Sequence, residues 1–435
     1  MKKAWRTALA GWLVLVLLAG CTPAPTTTET AETTPPVSKQ AVDLMANVQS
    51  SAWQTVSGPP DSQAVNAVNR FSMALLRESV RNEGNILISP ASVFLALAMT
   101  LNGADSETRD AMLQVLAEKG IPVEAVNQAS QAWIAKLTQT GKKTSLEVAN
   151  SIWFDQDFIP DPAFLQTNAD YFKAGASKLD FKAPDAVGII NGWVEQATHG
   201  KIETIIEEIP AFVVMYLINT IYFVSDWQTP FLTEQTQEMD FAAPDGAAKA
   251  KFMHRTDRLT AFELDAAQGI ALPYDDGQFA FFALLPPEGT SPRDWLDTQS
   301  DTVLFGRLAV LLAAGETEQI DLYLPKFEVR YDNSLREELI SMGMGIAFNG
   351  GQADFSLMNT DRTKDLFIND VKHKTYIRVD EKGTEAAAVT AVEMGKTAIP
   401  DPPRRIDFNR PFVYGIYDVQ NGMPLFVGIL EKPAA

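Results

Sequence analysis

The chain has 435 residues, 46% of them hydrophobic and 21% charged, with a formal charge of −19 and a single cysteine. Such a profile is globular rather than disordered and leaves room for one large domain or a few ordinary ones. The negative field, with no run of Lys and Arg, works against nucleic-acid partners and polyanionic cofactors, and a lone cysteine excludes any disulfide within the chain.

The first residues read as a targeting segment. Lys2, Lys3 and Arg6 make a basic start, residues 8–19 are almost wholly apolar, and the run closes with Leu18-Ala19-Gly20-Cys21. It is short for a membrane span and ends in small residues, as secretory signals do. The Leu-Ala-Gly-Cys ending resembles the bacterial lipobox. That resemblance implies a signal peptide over residues 1–20, cleavage before Cys21, and lipid on Cys21 that holds the protein at the cell envelope, outside the cytoplasm. A plain signal peptide followed by a chance cysteine is the competing reading. Residues 21–62 follow as a linker. Residues 22–37 are mostly Thr, Pro, Ala and Glu, a composition that buries no core and keeps a globule off a surface. A weak helix is expected within residues 42–56.

The globule is expected to begin near Gln63 and to run as one domain over residues 63–435, since no second linker and no internal repeat interrupts it. Residues 65–80 are amphipathic at helical spacing, with Val68, Phe71, Leu75 and Leu76 on one face. Ser89-Pro90 fits a helix N-terminus, and the apolar run that follows is continuous all round, so this helix should be buried. Further helices are expected over 106–116, 123–137, 163–172, 186–199 and 335–342. Strands are expected over 146–154, 215–224, 251–255, 260–264, 270–273, 279–285, 320–324, 371–379, 412–418 and 424–430. Helices first and many strands afterwards indicate an α+β fold with large mixed or antiparallel sheets.

Residues 381–398, EKGTEAAAVTAVEMGKTA, stand apart. Ala and Gly make a poor strand. At period 2, however, Thr384, Ala386, Ala388, Thr390, Val392 and Met394 share one small or apolar face, and Glu385 and Glu393 fall on the other. That is the pattern of a strand with one buried face, and no Pro interrupts it. Gly383 supplies the permissive backbone of a hinge before it.

Motifs for catalysis are missing from the sequence. The three histidines, His199, His254 and His373, form no His-Glu-x-x-His pair, and there is neither a Gly-x-Ser-x-Gly elbow nor a phosphate-binding Gly loop. No cofactor, metal or enzyme activity is expected.

Six segments together resemble the serpin family: NILISPASVFLALAMTLNGA, NGWVEQATHGKI, LINTIYFVSDW, DLYLPKFEV, DVKHKTYIRVDEKGTEAAAVTAV and FNRPFVYGIYD. They occur in the family's order and cover most of residues 63–432. The resemblance implies a serpin fold, with about nine helices around three β-sheets and an exposed reactive loop. It implies a monomer that inhibits a serine protease, alternatively a cysteine protease, as a suicide substrate. After cleavage the loop inserts into the main sheet and traps the covalent acyl-enzyme, a type example of strand addition.

The family pattern also assigns roles. Gly383, Thr384, Glu385, Ala386, Ala387 and Ala388 form the hinge, and Glu381, Lys326 and Trp227 the breach where the loop meets the sheet. Ser89, Ser92, Asn219 and His373 form the shutter beneath it. Counting from Glu381 as the family does puts the reactive bond at Thr397-Ala398, which suits an elastase-like or subtilisin-like enzyme. A loop one residue shorter gives Lys396-Thr397 and a trypsin-like target, with Met394 a third choice. Residues 399–406, with three prolines and two arginines, look longer than the family norm and leave the count open. The second helical region lacks a basic face, so heparin-type activation is not expected. The alternative function is a non-inhibitory serpin serving as a binding or structural envelope protein; a Thr- and Ala-rich hinge favours inhibition.

Overall fold

The computed structural model describes residues 41–48, 50, 61–117, 121–137, 143–299, 304–384 and 402–433. Among these are nine α-helices and sixteen strands. The helices Ser62–Ser79, Pro90–Leu101, Ser106–Leu116 and Val123–Leu137 come first. Ser89 caps the second of them by accepting from the Ser92 N–H, with Pro90 in its first turn. Nearly every residue of that helix is buried, because it packs against strands of both sheets, Met215–Asp226 and Met423–Leu430.

The first sheet has seven strands, in the order Val42–Asp43, Gly175–Leu179, Thr144–Asp155, Met215–Asp226, Gly383–Thr384, Lys372–Val379, Phe327–Ser334. On its outer face the helix Ala186–Ala197 buries Ile190 and Val194 against Trp153 and Ile218. The second network has nine strands. Its central strands Phe279–Leu285, Phe412–Asp418 and Met423–Leu430 are buried at every residue, which is why they read as unbroken apolar runs.

Three sheets were expected; hydrogen bonding joins the described strands into two networks. The reason is one long strand. Residues expected as two short strands, 251–255 and 260–264, belong to a single 19-residue strand, Gly246–Leu264. It pairs with Gln237–Ala243 at its start, Thr317–Pro325 in its middle and Ala267–Pro273 at its end. The charges of Asp257 and Arg258 hid this continuity, but neither is buried and Arg258 donates to the Thr317 carbonyl at 2.8 Å.

The globule also starts earlier than Gln63. Val42 and Asp43 pair with Lys178 and Ser177 on the sheet edge, and the Leu44 N–H donates to the Ala176 carbonyl at 2.9 Å. Leu44 and Met45 pack against the main core. Over residues 42–48 no helix forms, because an edge strand with open N–H and C=O groups offers an extended segment immediate partners; residue 49 and residues 51–56 of the expected weak helix lie outside the described residues. The helix expected over 335–342 is also shorter: Arg336–Leu339 leads into a wide turn, Ile340–Met344, where Gly343 has φ +113°.

One acid lies within the core. Asp418 ends its strand fully buried, and loss of water pushes its carboxyl up to about 6 even though Asn421, Gln278 and the Gln420 N–H donate to it. An unfolded Asp titrates near 3.9, so the folded state holds the proton longer. Its ionisation therefore costs nothing below about pH 4, costs more as pH rises to about 6, and costs most above that. The full penalty is about 3 kcal/mol. Asp418→Asn keeps an acceptor for the Asn421 N–H. Relative to wild type it should stabilise about 2–3 kcal/mol more at pH 8 than at pH 4. Urea unfolding at both pH values measures this, and equal shifts would show that Asp418 carries no buried charge.

Candidate functional site: a strand slot in the first sheet

The site lies between Met215–Asp226 and Lys372–Val379. At its upper end the two-residue strand Gly383–Thr384 is held between them, with Thr384 opposite Ser225 on one side and Val379 on the other. Further down, a cavity of about 530 Å³ separates the two strands, lined by Ser92, Thr100, Asn219, Thr220 and His373 among others. The buried Thr220 hydroxyl there has no hydrogen-bond partner among the described residues.

The upper end is a dense polar and aromatic knot. Lys326 Nζ pairs with Glu381 Oε2 at 2.6 Å, and Thr236 Oγ1 donates to Glu381 Oε1 at 2.8 Å. Burial pushes the Glu381 carboxyl upward, but the hydrogen bonds from Lys326 and Thr236 outweigh it and leave the group below its ordinary value. Trp227 is buried, its backbone N–H donates to the Lys382 carbonyl at 2.7 Å and its indole N–H to the Asp380 carbonyl at 2.8 Å. The turn 380–383 is thus pinned on both sides. Gly383 is required here for close approach: a Cβ on it would lie 2.1 Å from the Ser225 carbonyl oxygen. Its φ is not in the left-handed region, so in this state the glycine serves close packing rather than a strained turn.

The polar cluster beneath the slot is built on the capped end of Pro90–Leu101. The Ser89 N–H donates to His373 Nε2 at 3.0 Å, and Ser89 Oγ donates to the Leu425 carbonyl at 2.8 Å. Ser92 Oγ donates to Asn219 Oδ1, and Asn219 Nδ2 donates to Asn150 Oδ1 at 2.6 Å. Burial pushes the His373 imidazole down to about 4. At neutral pH it is an uncharged acceptor, a structural role rather than an acid–base one.

The structure thus brings Glu381, Lys326 and Trp227 into one group and Ser89, Ser92, Asn219 and His373 into another. Gly383 and Thr384 lie in the sheet as the two-residue stub. Thr384 is held there by two-sided pairing and by a 2.6 Å hydrogen bond with the Tyr274 hydroxyl. Glu385, Ala386, Ala387, Ala388, Met394, Lys396, Thr397, Ala398 and Cys21 lie outside the described residues. Sequence reasoning missed Thr236, Asn150 and Tyr274. Asn150 carried a signal, as the one amide in a largely apolar strand. His199 and His254 are elsewhere, paired with Glu147 and Asp321. Among the described residues no group of His, Cys, Asp and Glu could hold a metal ion, and no helix is long and apolar enough to cross a membrane.

The two central strands of this sheet are thus bridged by a two-residue stub at the top and line a cavity below it. A family model described as serpin (serine protease inhibitor) matches residues 66–433, and the chain belongs to the serpin family. An uncharacterized serpin-like protein of Thermococcus kodakarensis is 28% identical over 98% of this chain and 99% of its own length. The thermophilic serpin tengpin in its native state is 35% identical and superposes with a TM-score of 0.82, covering 91% of this chain and all of tengpin. In its latent state tengpin gives a TM-score of 0.75 at 34% identity, covering 86% of this chain and 99% of its own. Serpins are generally protease inhibitors rather than catalysts.

Proposed function

We propose that this serpin inhibits a serine protease, or alternatively a cysteine protease, as a suicide substrate, and that lipid on Cys21 tethers it at the cell envelope as a monomer. The observation that carries the reading is the register of the stub. Continuing it in steps of two from Thr384 would set Ala386 beside Phe223 and Ile377, Ala388 beside Ile221 and Thr375, and Thr390 between Asn219 and His373. Small residues thus meet the crowded upper slot, and a hydroxyl meets the polar cluster and the cavity.

The protease would attack the carbonyl of Thr397, or of Lys396, and form an ester through a serine, or a thioester through a cysteine, as the amine of the next residue leaves. Insertion would then draw the acylated enzyme away before water cleaves the acyl link. The Thr397-Ala398 bond fits an elastase-like or subtilisin-like enzyme, and Lys396-Thr397 a trypsin-like one. Mixing the soluble domain with trypsin, elastase and subtilisin and boiling in SDS tests this. A stable adduct at the summed mass is expected with at least one enzyme. Complete loop cleavage with no adduct would favour the non-inhibitory binding role instead.

A further inference from the structure

Tyr274 follows the strand Ala267–Pro273 and is completely buried. Its ring stacks on Trp227 at 4.8 Å and 12°, and Phe223 meets it edge-on at 5.0 Å. These contacts fix where its hydroxyl points. That hydroxyl has one hydrogen-bond partner among the described residues, Thr384 Oγ1 at 2.6 Å. Thr384 in turn is 3% exposed and flanked by Ser225 and Val379.

We propose that Tyr274 is a positioning residue that seats the leading residue of the reactive loop, so that insertion starts from a strand already begun. The proposal deepens the inhibitory reading and rests on it for its effect on inhibition. Pairing the first residue of a new strand orders chain for few bonds, and it is the slow part of any zipper-like process. Here that first pairing is already made. Withdrawing Thr384 would leave a phenol with no partner in a dry, stacked pocket, and an unmade buried hydrogen bond disfavours the withdrawn state by about tenfold or more. Trp227 thus acts through Tyr274: it holds the turn 380–383 with its N–H groups and the phenol with its ring.

The test compares wild type with Tyr274→Phe, Thr384→Val, the double variant and Thr384→Ser. Amide hydrogen exchange at Thr384 in the intact protein reads the seat directly. Tyr274→Phe should speed it about tenfold. Thr384→Val should do the same, the double variant should be no faster than either single one, and Thr384→Ser should match wild type. With a protease that forms the adduct, moles of serpin consumed per mole of enzyme trapped should rise several-fold in Tyr274→Phe and stay at the wild-type value in Thr384→Ser. Unchanged exchange in Tyr274→Phe, or single effects that multiply in the double variant, would overturn the assignment. Were Tyr274→Phe to fold poorly, Thr384→Val beside Thr384→Ser decides the same point. A wild-type protein that traps no protease would sink the inhibitory reading while the exchange result still stands or falls alone.

Discussion

Nicking the reactive loop should raise the unfolding midpoint of the soluble domain by about 15–25 °C. The argument starts from the gap. Met215–Asp226 and Lys372–Val379 are both paired to Gly383–Thr384 at the top and lie on either side of a cavity of about 530 Å³ lower down. Each flanking strand there has backbone groups that a new strand would pair. Inserting the residues after Thr384 would bury Ala386, Ala388, Val392 and Met394 with Thr390. Lost apolar exposure contributes about 5 kcal/mol, and about a dozen ladder bonds contribute about 1 kcal/mol net each. Thr384 adds nothing, because it is already buried. A domain of this size unfolds with about 0.8 kcal/mol per degree of entropy, which converts that gain into the stated range. Calorimetry on intact and nicked protein, with circular dichroism for the added strand, measures it. An unchanged midpoint would mean that the loop stays out and no stored strand exists.

Different physical signals made different parts of this molecule legible. Helices Ser106–Leu116 and Val123–Leu137 fall at the expected residues, since periodicity, Asp105 as cap and the buried face all agree. The cap at Ser89 was readable for the same reason. Phe327–Ser334 was missed, yet its residues alternate buried and exposed from Phe327 to Asp332, a period-2 signal that Pro325 and the surrounding charges obscured. The two pairings of Glu381 and of His373 could not come from periodicity at all. Lys326 is far from Glu381 along the chain, and only the family resemblance suggested the contact. Tyr274 was illegible in either way. A tyrosine in a turn before Asp275 and Asp276 looks like surface, and only tertiary stacking on Trp227 turns its hydroxyl toward Thr384. Val42 and Asp43 were lost because composition marks a linker but not the sheet edge that will capture it.

Replacing Thr384 with Arg should convert the inhibitor into a substrate. Thr384 sits between the backbones at Ser225 and Val379, faces Tyr274 and is 3% exposed. That setting admits a short side chain with one hydroxyl. A guanidinium there would stand against a buried phenol and the Trp227 ring stacked on it. Burying it unpaired costs several kcal/mol. Loop insertion would slow by about a hundredfold or more at 1.4 kcal/mol per decade, whereas hydrolysis of the acyl-enzyme, which occurs at the far end of the loop, would not. Partition then runs toward hydrolysis, and protease emerges active while serpin accumulates as the nicked form. On a boiled SDS gel the adduct band should fall below about a tenth of its wild-type yield as the cleaved band grows. Thr384→Ser, which keeps the hydroxyl, should retain the adduct. Undiminished trapping by Thr384→Arg would mean that the loop reaches the cavity without passing between Ser225 and Val379, and the register that leads Thr390 to Asn219 and His373 would have to be abandoned.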